Sequence, residues 1–84
     1  MRCFYITFRS VTFAQRGEQV LEKAGIRCSL LRTPKWMEER GCGYCVRLWT
    51  ENIDAVGAVL RRERVLFRKL YVQREDGVLE ERVL

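Results

Sequence analysis

The chain has 84 residues, 48% of them hydrophobic, with one proline, six glycines, four cysteines and no histidine. A chain of this length forms one domain and buries about 60 to 65% of the surface its unfolded form exposes, which excludes a large enclosed active site. Sixteen Lys and Arg against eleven Asp and Glu leave a net charge of +5, an excess modest enough to sit on a solvated face and at helix ends without a polyanionic partner.

Residues 3–8, CFYITF, alternate, with Phe4, Ile6 and Phe8 on one side and Cys3, Tyr5 and Thr7 on the other, as a half-buried strand does. Ser10 offers an N-cap hydroxyl to a helix whose apolar face carries Ala14, Gly17, Leu21 and Ala24, with Phe13 and Val20 beside them, and which stops at Gly25. IRCSLL, residues 26–31, reads as a second strand. RTPKWMEERG then breaks the periodicity through Pro34, charges and Gly41, giving a loop of about ten residues, long for a small domain. YCVRLW, residues 44–49, is the third strand, with Tyr44, Val46 and Leu48 opposed to Cys45, Arg47 and Trp49. Thr50 is read as the cap of a second helix with the stripe Ile53, Val56, Gly57 and Leu60. LFRKLYVQ, residues 66–73, is the fourth strand, and Asp76-Gly77 signals a hairpin that returns residues 78–84 as a fifth.

The two halves repeat strand, helix, strand. That order predicts an α+β, ferredoxin-like βαββαβ sandwich: an antiparallel sheet in the order fourth, first, third, second, two helices on one face, and an extra C-terminal edge strand. The whole of residues 1–84 is one domain. No window approaches about 20 apolar residues, and Arg2 followed by alternation does not resemble a signal peptide. The expected location is cytoplasmic, and in that reducing compartment Cys3, Cys28, Cys42 and Cys45 are read as thiols.

RGCGYCVRLW, from Arg40 to Trp49, sets two cysteines around a Gly-Tyr pair. Structural zinc takes four ligands, and one C-x-x-C without histidine supplies two, so no metal is expected within one chain, although a dimer that pools two pairs stays open. Residues three apart on an extended strand are about 10 Å apart, beyond the roughly 7 Å a disulfide spans, so Cys42 and Cys45 pair only if Gly43 turns the chain. Cys42, between Gly41 and Gly43 at the end of the loop, is the candidate reactive thiol. Lys35, Arg40 and Arg47 are its nearest cations in sequence, and positive charge stabilises a thiolate. Cys45, Cys28 and Cys3 are read as small packing residues. Glu18, beside the apolar face of the first helix, is either a solvated charge or the partner of a loop cation.

With these residues placed, the chain resembles the small bacterial proteins described as "Putative Se/S carrier protein-like". The resemblance covers most of residues 3–73. It rests on the aromatic first strand ending in TFRS, on Ala14 and Glu18, on AGI at 24–26, on Thr33-Pro34-Lys35, and on Cys42-Gly43 opening a strand. EERG stands before the cysteine where the family tends to have serines, and Thr12 stands at a position often occupied by histidine. The resemblance implies that Cys42 carries sulfur or selenium as a persulfide or selenosulfide. It also implies a donor protein and an acceptor enzyme as partners.

The leading expectation is therefore a carrier, a transfer protein rather than a stand-alone enzyme, with no cofactor and with Cys45 as support or as a resolving thiol. A second expectation is an interaction module that docks or dimerises through its sheet with no chemistry at the cysteines. RNA binding ranks third: Tyr5, Trp49 and Tyr71 would share the uncovered sheet face with Arg47, yet the usual Gly-aromatic pattern of RNA-binding sheets is absent. The same three rings, if left in water, favour a homodimer.

Overall fold

A computed structural model describes residues 1–34 and 43–83. The elements are β1 (Arg2–Thr7), α1 (Val11–Lys23), β2 (Arg27–Arg32), β3 (Tyr44–Thr50), α2 (Ile53–Arg62), β4 (Leu70–Gln73) and β5 (Leu79–Arg82). All five strands pair antiparallel in the order β2-β3-β1-β4-β5. This is the expected α+β, ferredoxin-like arrangement, and β5 is the expected edge strand beside β4.

Register explains the layering. Phe4 lies opposite Leu48 in β3 and Val72 in β4, and Ile6 opposite Val46 and Leu70. Because side chains alternate along a strand, these six share one face. They cluster with Ala14 and Leu21 of α1 and Val56 and Leu60 of α2 into one buried core, so both helices cover that face. Cys28 and Leu30, opposite Leu48 and Val46 in β2, are packed against the same core.

Local chemistry sets the ends. Ser10, extended at φ −140°, accepts the Phe13 N–H on its hydroxyl at 3.2 Å and starts α1. Gly25 takes φ +80° at the other end, where Ile26 N–H returns to the Leu21 carbonyl at 2.9 Å, the left-handed stop that glycine permits. The cap of α2 is Asn52 instead of Thr50. Its side chain accepts the Ala55 N–H at 3.2 Å, whereas Thr50 still pairs with Arg2 in the sheet and accepts the Asn52 N–H.

The fourth strand, expected over residues 66–73, covers only Leu70–Gln73. After α2 the chain passes through Arg64 at φ +58°, seats Val65 in the core at 2% exposure, and leaves Leu66 71% exposed. Arg68 and Lys69 then both face Thr7. Arg68 N–H bonds the Thr7 carbonyl at 2.8 Å, Thr7 N–H bonds the Lys69 carbonyl at 2.9 Å, and Lys69 N–H bonds the Thr7 hydroxyl at 3.1 Å. Two residues opposite one make a β-bulge, and regular pairing begins only at Leu70.

The β4–β5 hairpin is fixed as expected by Asp76-Gly77. Gly77 has φ +85°, and Asp76 accepts the Val78 N–H at 3.1 Å and pairs with Arg74 at 2.7 Å. Both of these lower the Asp76 carboxyl, the Val78 N–H the more.

Gly17 is the tightest packing point. A β-carbon there would stand 2.8 Å from the Phe8 ring, which is fully buried. Alanine improves helix propensity by about 1 kcal/mol, but overpacking costs typically 1 to 3 kcal/mol. Gly17→Ala is therefore expected to lose about 1 kcal/mol net in urea unfolding; a stabilised variant would show that Phe8 moves aside.

Candidate functional site

The base of the loop is closed by backbone pairing. Thr33 N–H bonds the Gly43 carbonyl at 2.9 Å, one step beyond the Arg32–Tyr44 pair that ends the β2–β3 ladder. Gly43 has φ +82° and is buried, so the chain turns there at a position where an L side chain is strained. Thr33 is buried beside it. Cys42, Lys35 and Arg40 lie outside the described residues.

The end of the sheet from which this segment springs is basic. Strand direction brings together the C-terminal ends of β1 and β2 and the N-terminal ends of β3 and β4. Arg9, Arg32, Arg68 and Lys69 therefore gather at this end, together with the N-terminus of α1, whose first turn carries no acidic residue. Helix N-termini carry about half a positive charge. Arg32 stacks over the Tyr44 ring at 5.2 Å, and Lys69 pairs with Glu81 at 3.7 Å. The charge pattern RRERVLFRK and the Arg in TFRS were visible signals of this cluster, but their convergence depends on the bulge at Thr7, which no local pattern announces.

Of the remaining expected site residues, Gly43 and Cys45 belong to this end and Arg47 stands two residues further along β3. Cys45 faces away from the helices, opposite Thr7 and Leu31, and is fully buried. Arg47 shares its face. Arg47 and Arg27 both stack on Trp49, at 5.1 and 4.7 Å from the ring centroid, and the Arg47 Nε is buried without a hydrogen-bond partner among the described residues. Tyr71, expected on an open aromatic patch, is only 6% exposed. With Trp49 stacked on two guanidinium groups as well, that patch is smaller than the alternation implied.

Glu18 serves β2. Its carboxylate accepts the Leu30 N–H at 2.8 Å, and its backbone carbonyl receives the Cys28 thiol at 3.6 Å. Leu30 belongs to an edge strand, so this carboxylate occupies a donor that would otherwise be open to another strand. Neither a solvated charge nor a loop partner was the role found.

The thiols of β1 and β2 are disfavoured as anions. Burial pushes Cys28 up to about 11, helped by Glu22 and Glu18. Burial also raises Cys3, against the opposing pull of Arg47 and a hydrogen bond from Tyr5.

Fold and site together define a small α+β domain in which the Gly43 turn stands at a cationic sheet end. The family profile described as "Putative Se/S carrier protein-like" matches residues 3–72, and the chain belongs to that family. Comparison with curated proteins and with solved structures gives no match. No helix among the described residues is long and apolar enough to cross a membrane.

Two outcomes follow. Glu18→Ala should cost about 1 to 3 kcal/mol by leaving the Leu30 donor unmatched, with Glu18→Gln, which keeps an acceptor, recovering most of it; equal losses in urea unfolding would assign the effect to charge. Cys28 should make stability fall with rising pH. Below the unfolded thiol pKa of about 8.5 both states hold the proton. Above it the unfolded chain releases its proton first, so stability declines until the folded thiol titrates at about 11. Subtracting the Cys28→Ala profile from that of the wild type isolates this slope, and a flat difference would contradict it.

Proposed function

We propose that the protein is a sulfur or selenium carrier that holds the chalcogen on Cys42 and passes it between a donor protein and an acceptor enzyme. The observation that carries this reading is the state of the three described thiols. Cys45 is fully buried, and Cys28 and Cys3 are shifted toward the neutral form. Cys42 directly precedes the Gly43 turn at the end where Arg9, Arg32, Arg68 and Lys69 converge. Family membership supports the same assignment. A thiolate, not a thiol, is the nucleophile, and nearby cations stabilise it.

The chemistry balances as an exchange. The Cys42 thiolate attacks the outer sulfur of a donor persulfide, forming a new S–S bond while the donor's S–S bond breaks, and the donor leaves as a thiolate. An acceptor nucleophile then attacks the outer chalcogen of the loaded Cys42, which departs as the thiolate it began as. No oxidant or reductant is consumed. Selenium follows the same route as a selenosulfide. In this reading the cationic end stabilises the anion at both stages, and Arg47 contributes at longer range from the same face of β3. Cys45 acts as a packed support, because a fully buried sulfur is poorly placed to resolve the loaded intermediate.

The competing reading is a docking module without cysteine chemistry. Intact mass spectrometry after incubation with glutathione persulfide separates the two. Wild type and Cys45→Ser should gain one sulfur atom and Cys42→Ser none, with Cys45→Ser losing about 1 to 2 kcal/mol of stability because a buried hydroxyl replaces a thiol. A wild type that gains nothing, or a Cys42→Ser chain that loads equally well, would leave the docking module as the better account.

A further inference from the structure

The bulge that shortens β4 also builds a cleft. Arg9 from the end of β1, Phe13 from the first turns of α1, and Leu66, Phe67 and Arg68 from the α2–β4 connection line a volume of about 200 Å³. Leu66 is 71% exposed, Phe13 and Phe67 are half-buried, and both arginines are exposed. An exposed leucine on a loose loop would carry little meaning. Here it is held out by backbone that is tied on both sides: Val65 N–H bonds the Leu60 carbonyl at 2.9 Å, Val65 itself is buried, and Arg68 N–H bonds Thr7.

We propose that this cleft is the docking site for the carrier's protein partner, and that it takes an extended partner segment in which a large apolar side chain is flanked by carboxylates. The inference rests on the carrier reading for its purpose, but its own support lies in charge and placement. Arg9 and Arg68 flank the apolar floor and have no ion pair among the described residues. An apolar centre with a charged rim is the anatomy of a protein interface, and unpaired guanidinium groups select carboxylates with planar, two-point geometry. A second copy of the chain would bring the same two arginines against each other at a symmetric contact, where like charges repel. A nucleic acid would leave Leu66 and Phe13 without matching surface.

Placement completes the case. Thr7, which binds Arg68 and Lys69, lies opposite Cys45 in β3, two residues from the Gly43 turn. The start of β4 and the base of the Cys42 segment therefore flank β1 on either side, two strand spacings or about 10 Å apart. A partner seated in the cleft brings its own reactive group to the same end of the sheet.

The test uses the full chain labelled with ¹⁵N and titrated with the peptide acetyl-Glu-Asp-Leu-Phe-Asp-Glu-amide. Amide shifts should map to Phe13, Leu66, Phe67 and Arg68. Arg9→Glu with Arg68→Glu, or Leu66→Ser alone, should weaken binding about tenfold or more, and affinity should fall with added salt. Leu66→Ser, which leaves the cationic end intact, should still load sulfur from glutathione persulfide, a small donor that needs no docking. Loading thus reports on the carrier reading while the peptide reports on the cleft. No shifts at millimolar peptide, shifts confined to another surface, or affinity unchanged in the variants would overturn the proposal. It would also be overturned by concentration-dependent shifts at these amides without peptide, which would make a second copy the occupant. Equal shifts with a thymidine oligonucleotide would overturn it too, because the cleft would then be reading phosphate.

Discussion

The most consequential contact in the molecule is made by Thr7. It closes β1 on one side against Cys45 and on the other against two residues at once, with its hydroxyl taking the extra N–H that the bulge displaces. A serine could supply that hydroxyl, but the β-branched side chain also suits the strand conformation in which Thr7 sits. Without the bulge, Lys69 alone would face Thr7, Arg68 would move on to face Phe8, and the chain from Leu66 onward would run on as ordinary strand. Leu66 would then alternate with its neighbours instead of standing out beside Phe13. The convergence of cations, the start of β4 and the cleft all trace to that one local irregularity, which fits the tendency of bulges to re-aim side chains beside functional sites.

Much of this was legible in the sequence, for a definite reason. Period-two alternation in CFYITF and YCVRLW and the helical stripes through Leu21 and Leu60 report burial, and burial is what layers the sheet under both helices. The Asp76-Gly77 turn was legible because its chemistry is local. Three features were not. The cap of α2 fell on Asn52 because Thr50 is still held by sheet pairing with Arg2, a long-range contact. The length of β4 was overread because LFRKLYVQ is one run without a breaker, while the bulge that ends regular pairing is set by Arg68 and Lys69 both bonding the distant Thr7. The role of Glu18, read as either a solvated charge or the partner of a loop cation, was missed because nothing nearby in sequence reveals that the Leu30 N–H points at it.

For the site, the sequence supplied the cysteine and the family, while the structure supplied the contrast among thiols. Spacing alone cannot distinguish Cys45 from Cys42, since both flank the same dipeptide. Full burial of Cys45 on the face away from the helices does so. The glycine between them was legible as a turn condition, and its φ of +82° meets it. The cationic setting was read from neighbours in sequence, Lys35, Arg40 and Arg47. Across the fold, the described cations at this sheet end are Arg9, Arg32, and the adjacent Arg68 and Lys69, drawn from three segments, so the charge there is a property of topology and not of the motif.

The Thr7 hydroxyl and Lys69 are 62 residues apart in sequence, and their pairing has consequences for how the chain comes into being. Contacts that close long loops carry the largest ordering entropy and form late, whereas the β4–β5 hairpin and the helix caps are local and need little of the rest. On a ribosome, the segment bearing Cys42 emerges well before residues 66–69 can return to β1. During that interval neither the basic sheet end nor the cleft is complete. The basic sheet end and the cleft beside it are thus assembled in the final act of folding, and an incomplete chain lacks both.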